Sequence, residues 1–251
     1  LWPEASTPYA INEDPAWVVD ISKKTHLPMI VGAVTKSVDP PRSYNSVCSI
    51  SPERGLIRKY YAKRALVPFG EYIPKGFGWI PNLHKLVGPT GRFESGGDPR
   101  TLSLDANSTG NSLKVGPLIC YEDIFPHLAR STTKQGADFL FVSTNNAWFG
   151  EEGCAEQHAA HSVLRAIENR RPVLRSGNSG WSGWIDEQGV RRSVMRDENG
   201  SVYFEGAATF SISRAPSLIS KETFFSKQGD WFPYACLPLC GLVLFAKRQN
   251  K

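Results

Sequence analysis

Apolar residues along this chain fall into two rhythms. Short dense runs at Met29 to Val34, Val115 to Ile119 and Ala137 to Ser143 predict buried strands. Asn45 to Ile50 and Leu56 to Tyr61, joined by the turn Ser51-Pro52-Glu53-Arg54-Gly55, predict a strand pair. Helical spacing appears at Trp17, Val18 and Ile21 within Pro15 to Lys24. It recurs from Glu122 at Ile124, Phe125, Leu128 and Ala129, and over residues 155 to 169 at Val163, Leu164 and Ile167. Pro172 to Ser176, Trp181 to Ile185 and Val202 to Ile212 return to strand. This alternation predicts an α/β domain with layered sheets over residues 1–226.

Two stretches break the pattern. Residues 75–99 are rich in glycine and proline with interspersed aromatics, the make-up of a long functional loop or lid. Trp231 to Ala246 carries no charge and is followed by Lys247-Arg248. That run is shorter than the ~20 residues of a usual span and contains two prolines. Its aromatic start and basic end nevertheless predict a C-terminal membrane-anchoring helix over 227–251, spanning from near Gly229.

Composition narrows the chemistry. A chain of 251 residues with net charge +5 and interspersed signs has no basic stripe for nucleic acid. The five cysteines, at 48, 120, 154, 236 and 240, form no CxxC pair, which argues against a disulfide framework or a zinc site. His158 and His161 could share a helix face, but without a third ligand nearby no metal is expected. The chain begins at Leu1, so we expect a fragment or processed form.

Cys120 draws attention because it falls where an apolar strand meets the predicted helix. A helix N-terminus offers unpaired N–H groups and a positive dipole end, which lower a thiol's pKa and favour a nucleophilic thiolate. A small buried hydrophobe fits the same position. Glu4 lies at a loop edge. Lys63 and Glu71 stand on a segment stiffened by Pro68, Gly70 and Pro74. A thiol attacking a carbonyl needs a base for its proton and a cation for the oxyanion. Glu4 and Lys63 are of the right kinds.

Several motifs recur together: Trp2-Pro3-Glu4, Tyr61-Ala62-Lys63, Leu66-Val67-Pro68-Phe69-Gly70-Glu71-Tyr72-Ile73-Pro74, and Cys120-Tyr121-Glu122 with Phe125-Pro126. Asn146 to Gly150, Gln157-His158, Arg171-Pro172 and Gly229-Asp230-Trp231 continue the series. With these the sequence resembles the nitrilase, or carbon–nitrogen hydrolase, superfamily across essentially its whole length. Within it, the likeness is to the extracytoplasmic catalytic domains of the apolipoprotein N-acyltransferase family.

The resemblance implies a four-layer α-β-β-α sandwich with a C-terminal hydrophobic helix. It implies Cys120 as nucleophile, Glu4 as general base and Lys63 as oxyanion-stabilising cation. Glu71 and Glu122 would be supporting carboxylates, with Tyr121 shaping the site. Phe77, Trp79, Ile80, Leu83 and Trp148 would be lid and acyl-chain contacts. The implied reaction is acyl transfer from a phospholipid, through a Cys120 thioester, to the α-amine of a diacylglyceryl-modified lipoprotein cysteine. No metal or organic cofactor is implied. The implied place is the extracytoplasmic, periplasmic face of the bacterial inner membrane, with transmembrane helices upstream of this chain. Two other readings use the same residues: a soluble amidase or nitrilase with water as acceptor, and an inactive scaffold domain. The uncharged tail argues against the first and the intact Glu4, Lys63 and Cys120 against the second.

Overall fold

The computed structural model describes residues 1–77, 79, 93–105, 112–151, 153–213, 215–219 and 222–249. Helix α1 (Pro15–Thr25) starts where Asp14 accepts the Trp17 N–H at 3.0 Å and Pro15 presets the first turn. Strands β1 (Met29–Ser37), β2 (Arg42–Ser51) and β3 (Gly55–Ala62) follow as an antiparallel sheet, with Met29 opposite Ile50 and Val47 opposite Tyr61. The N-terminal segment adds to the edge of β1 through a bridge from Trp2 to Val31 and a Ser6 N–H to Gly32 carbonyl bond of 2.8 Å. That pairing carries Glu4 to the sheet.

A second sheet contains β4 (Leu102–Asp105), β5 (Ser112–Ile119), β6 (Phe139–Asn145), β7 (Val173–Asn178), β8 (Gly183–Ile185) and β9 (Arg191–Val194), hydrogen-bonded in that order. Its centre, β5 to β7, is parallel, and the crossovers are α2 (Pro126–Lys134) and α3 (Cys154–Asn169). Both faces of this centre are covered, so its strands read as continuous apolar runs. Phe139 and Phe141 pack with Ile30, Val47 and Tyr61 of the first sheet, while Leu140 and Val142 pack with Leu128 and Ala159 on α2 and α3. On the far side, Val18 of α1 packs with Met29, Val31, Cys48 and Ile50. The layers are therefore α1, the first sheet, the second sheet, and α2 with α3, an α-β-β-α sandwich. Each large side chain buried between them contributes about 1.5–3 kcal/mol.

Three expectations are corrected. Residues 202–212 form no strand: Val202 is buried, but Phe204 and Ile212 are exposed and reach no sheet partner. The last strand is instead β9, whose arginines hid it. The helix expected from Glu122 begins at Pro126, behind a single 3₁₀ turn over Cys120–Ile124 and an extended Phe125. Finally, the apolar tail is helical as α6 (Trp231–Gln249), after two short helices, α4 (Pro216–Ile219) and α5 (Phe224–Gln228). Yet no helix among the described residues is long and apolar enough to cross a membrane. Its 16 uncharged residues from Trp231 to Ala246 rise only ~24 Å against a hydrocarbon core of ~30 Å.

Candidate active site

The C-terminal edge of the sandwich holds a cavity of about 610 Å³. Glu4, Asn45, Lys63, Glu71 and Cys120 line it beside Phe93, Trp148 and Phe149. Each polar group arrives by a different route. Glu4 is placed by the edge pairing of residues 2–6 on β1. Gly32 makes this approach possible, since a Cβ there would lie 2.2 Å from the Pro3 carbonyl oxygen and 2.8 Å from Glu4 Cα. Lys63 follows β3 directly and donates its backbone N–H to the Asn45 carbonyl at 2.8 Å. Glu71 sits in a turn closed by the Val67 N–H on its Oε2 at 2.8 Å.

These side chains form one buried network. Lys63 Nζ donates to Glu71 Oε1 at 2.9 Å and to Glu4 Oε1 at 3.4 Å. Asn45 Nδ2 donates to both carboxylates, at 2.6 Å to Glu4 and 3.0 Å to Glu71. Burial opposes the charge on Lys63. Glu4, Cys120 and Glu71 more than offset this, holding its pKa above the usual lysine value. The Tyr121 ring lies 5.5 Å from Lys63 Nζ, with its hydroxyl donating to the Leu66 carbonyl at 2.7 Å.

Cys120 follows β5 with φ of 53°, a left-handed backbone that costs a non-glycine residue about 1–2 kcal/mol. The strand therefore ends there and the side chain swings to the cavity. This corrects the picture of a thiol activated by a helix N-terminus, because one 3₁₀ turn has no such dipole. Burial first, and the Glu4 charge second, push the thiol up to about 11, against lowering by Lys63, the Thr144 hydroxyl and the Asn145 N–H. At neutral pH the sulfur keeps its proton, so an attack by it needs a base, and Glu4 lines the same cavity.

Glu122 is fully buried and does not line the cavity. It accepts from Tyr61 Oη (2.7 Å), Ile119 N (2.8 Å), Arg64 N (2.6 Å) and Ala65 N (3.0 Å), clamping the backbone after Lys63 to the turn at Cys120. Phe77 and Trp79 are exposed away from the cavity lining, Phe77 stacking edge-on against Phe69 with centroids 5.3 Å apart. Trp148 lies on the cavity wall, whereas Ile80 and Leu83 lie outside the described residues.

Sequence reasoning missed Asn45, the shared donor between the two carboxylates. It also missed a second cluster behind Cys120, centred on fully buried Asp123. That carboxylate accepts from His158 Nε2 at 2.9 Å, Ser162 Oγ at 2.6 Å and Arg175 Nη1. An Asp directly after the Cys120-Tyr121-Glu122 motif was the available signal.

A carbon–nitrogen hydrolase family model matches residues 2–209. The chain is 31% identical over 248 residues to an apolipoprotein N-acyltransferase of Geobacter metallireducens, covering 97% of this chain and 44% of that one. It is 35% identical over 238 residues to another from Rhizobium rhizogenes, covering 90% and 42%. The chain thus spans less than half the length of these curated relatives. Among solved structures it is similar in fold to a carbon–nitrogen hydrolase of Helicobacter pylori, at TM-score 0.53 and 18% identity over 77% of this chain and 64% of that one. An amidase of Nesterenkonia sp., seen with acrylamide added at its active-site cysteine, matches at TM-score 0.52 and 14% identity over 74% and 65%.

Proposed function

Because the chain belongs to the carbon–nitrogen hydrolase family, we propose that it is the catalytic domain of an apolipoprotein N-acyltransferase, with Glu4, Lys63 and Cys120 performing two successive acyl transfers. The observation that carries this reading is the convergence of the three side chains in a cavity walled by Phe93, Trp148 and Phe149, in a chain similar to such acyltransferases over nearly its full length.

In the first transfer Glu4 takes the Cys120 proton as the sulfur attacks the ester carbonyl of a phospholipid. The negative charge develops on the carbonyl oxygen beside Lys63. Collapse breaks the ester C–O bond, the proton passes from Glu4 to the departing oxygen, and a lysophospholipid leaves a thioester on Cys120. In the second, the α-amine of a diacylglyceryl-cysteine attacks the thioester and gives a proton to Glu4. The C–S bond breaks, the amide departs, and the proton returns to sulfur. Splitting the reaction avoids direct attack of an amine on an unactivated ester.

Trp148, on the cavity wall, is an acyl-chain contact in this reading, and Phe77 and Trp79, exposed outside the cavity, meet the chain only where it extends beyond the wall. The surface of α6 supports a membrane address, which this reading puts at the extracytoplasmic face by likeness alone: Trp231, Phe232, Tyr234, Leu237 and Leu239 are all exposed. A patch of that kind marks a membrane or protein contact.

The test is incubation of the protein with phospholipid vesicles, followed by mass spectrometry of the Cys120 peptide. An acyl adduct that hydroxylamine removes, and that Cys120→Ala lacks, is the expected result. An adduct from small amides with none from phospholipid would overturn the reading in favour of an amidase.

A further inference from the structure

The Cys120 carbonyl is held from behind the site. His158 on α3 is buried, and its Nε2 lies 3.2 Å from Cys120 O and 2.9 Å from Asp123 Oδ1. Its Nδ1 lies 3.2 Å from Asn146 Nδ2. With the Asn146 amide donating to Nδ1, the ring proton sits on Nε2 and is shared between the Asp123 carboxylate and the Cys120 carbonyl. Asp123 is itself held by Ser162 and Arg175, and Arg165 Nη1 donates to the carbonyls of Asp123 (3.2 Å) and Ile124 (3.0 Å). Among the described residues, no other side chain donates to Cys120 O.

This bond bears on the nucleophile through the peptide plane. In a trans peptide the C=O and the following N–H point in opposite directions. A Cys120 carbonyl drawn back toward α3 turns the Tyr121 N–H away from α3. An N–H turned that way and facing the sulfur's side of the turn supplies a fixed dipole to an acyl oxyanion. The left-handed Cys120 backbone opens a single 3₁₀ turn, and the His158 bond adds to what that one turn supplies at a strained residue.

We propose that His158 is a positioning residue for acyl transfer: by holding the Cys120 carbonyl through its Nε2 proton, it aims the Tyr121 N–H at the developing oxyanion. Asn146 sets the ring tautomer that makes this possible, and so ties the aromatic loop carrying Trp148 and Phe149 to the nucleophile turn. The inference rests on the acyl-transfer reading.

Two reactions of the same sulfur separate this role from general support of the fold. Acylation by p-nitrophenyl butyrate builds an oxyanion, whereas alkylation by iodoacetamide builds none. Both are read on the Cys120 peptide by mass spectrometry, which sets aside the other cysteines. His158→Ala is expected to slow acylation about 10- to 100-fold, short of the 10²–10³ that deletion of an oxyanion donor costs, with alkylation changed less than about threefold. His158→Gln, whose amide can reach the carbonyl, restores most of the acylation. Asn146→Ala gives the same split more weakly and serves where His158→Ala does not fold. An equal fall in both reactions, or acylation unchanged, overturns the positioning role while leaving the function intact. A wild-type Cys120 that alkylates but is never acylated overturns the acyl-transfer reading and this inference with it.

Discussion

Replacing Glu4 by Gln tests the site's central chemical claim, that Cys120 reacts from the protonated state. With the thiol at about 11, roughly one molecule in 1,000 carries a thiolate at pH 8. A positioned base is worth 10²–10⁴ in rate, and we take ~10³ for one buried beside the sulfur. Glu4→Gln also removes a negative charge that raises the thiol. Losing that charge lowers the thiol and returns some thiolate, so the net loss at pH 8 is smaller than the full ~10³. The pH profile carries the sharper signature. In the wild type the proton moves directly to Glu4, so acylation is flat between pH 7 and 9. In the variant only pre-formed thiolate reacts, so the rate climbs about tenfold per pH unit. The assay is single-turnover acylation by p-nitrophenyl butyrate, quenched at intervals and read on the Cys120 peptide. A variant that loses the same factor at every pH would refute the reasoning, as would one that loses nothing.

Other perturbations probe the scaffold and the substrate. Gly32→Ala places a Cβ 2.2 Å from the Pro3 carbonyl and 2.8 Å from Glu4 Cα, so the N-terminal segment must move outward. Because a ~1 Å misplacement of a reacting group costs about 10² in rate, acylation is expected to fall by that factor, and iodoacetamide labelling of Cys120, which needs the same proton removed, to fall with it. Asp123→Asn leaves the buried Arg175 guanidinium without its carboxylate and is expected to cost about 3–5 kcal/mol at pH 7 by urea unfolding. Burial opposes ionisation of Asp123, but Arg175, His158 and Ser162 hold its pKa below the ordinary 3.8. The stability it contributes is therefore present above about 3.8 and lost as pH falls through the lower folded value, so wild type and variant should converge below that point. A gap that stays constant from pH 7 to pH 3 contradicts the assignment. Joint replacement of Phe77 and Trp79 by serine is expected to slow acylation from long-chain phospholipid about tenfold and to leave p-nitrophenyl butyrate unaffected. Equal effects on both donors would remove these two residues from the acyl path.

The layers of the fold were legible because they rest on local pattern. The runs at 29–34 and 139–143 are apolar on both faces, and only a strand covered on both sides needs that. What resisted reading depended on distant contacts. Asn45 looks like any polar residue of a strand until β2 docks and it meets Glu4 and Glu71, 41 and 26 residues away. Arg175 and Asp123 are 52 residues apart. The false helix start at Glu122 had a different cause. The apolar spacing was genuine, but the left-handed Cys120 and Pro126 break the backbone into a turn and then a helix, and neither break alters the spacing. Glu4, Lys63 and Cys120 were legible through motif likeness, and nothing in their spacing would have joined them.

The two carboxylates of the cavity look alike in sequence, yet the proposed reaction asks opposite things of them. Glu4 must accept a proton twice in each cycle and release it twice, so its charge comes and goes. If it alone neutralised Lys63, the cation would lose its partner at the moment the oxyanion forms and again while the amine attacks. Glu71 removes that dependence. Its Oε1 is nearer to Lys63 Nζ than that of Glu4, at 2.9 Å against 3.4 Å, and its other oxygen is committed to the Val67 N–H. The Asn45 amide touches both carboxylates and carries no charge of its own, so it keeps them apart in geometry while their charges diverge. In the thioester state the sulfur is uncharged and the Lys63–Glu71 pair persists unchanged. Glu71→Gln should consequently lower acylation by wild-type-like chemistry, keeping the flat pH profile that Glu4→Gln destroys. A rising profile in Glu71→Gln would assign the base to the wrong carboxylate.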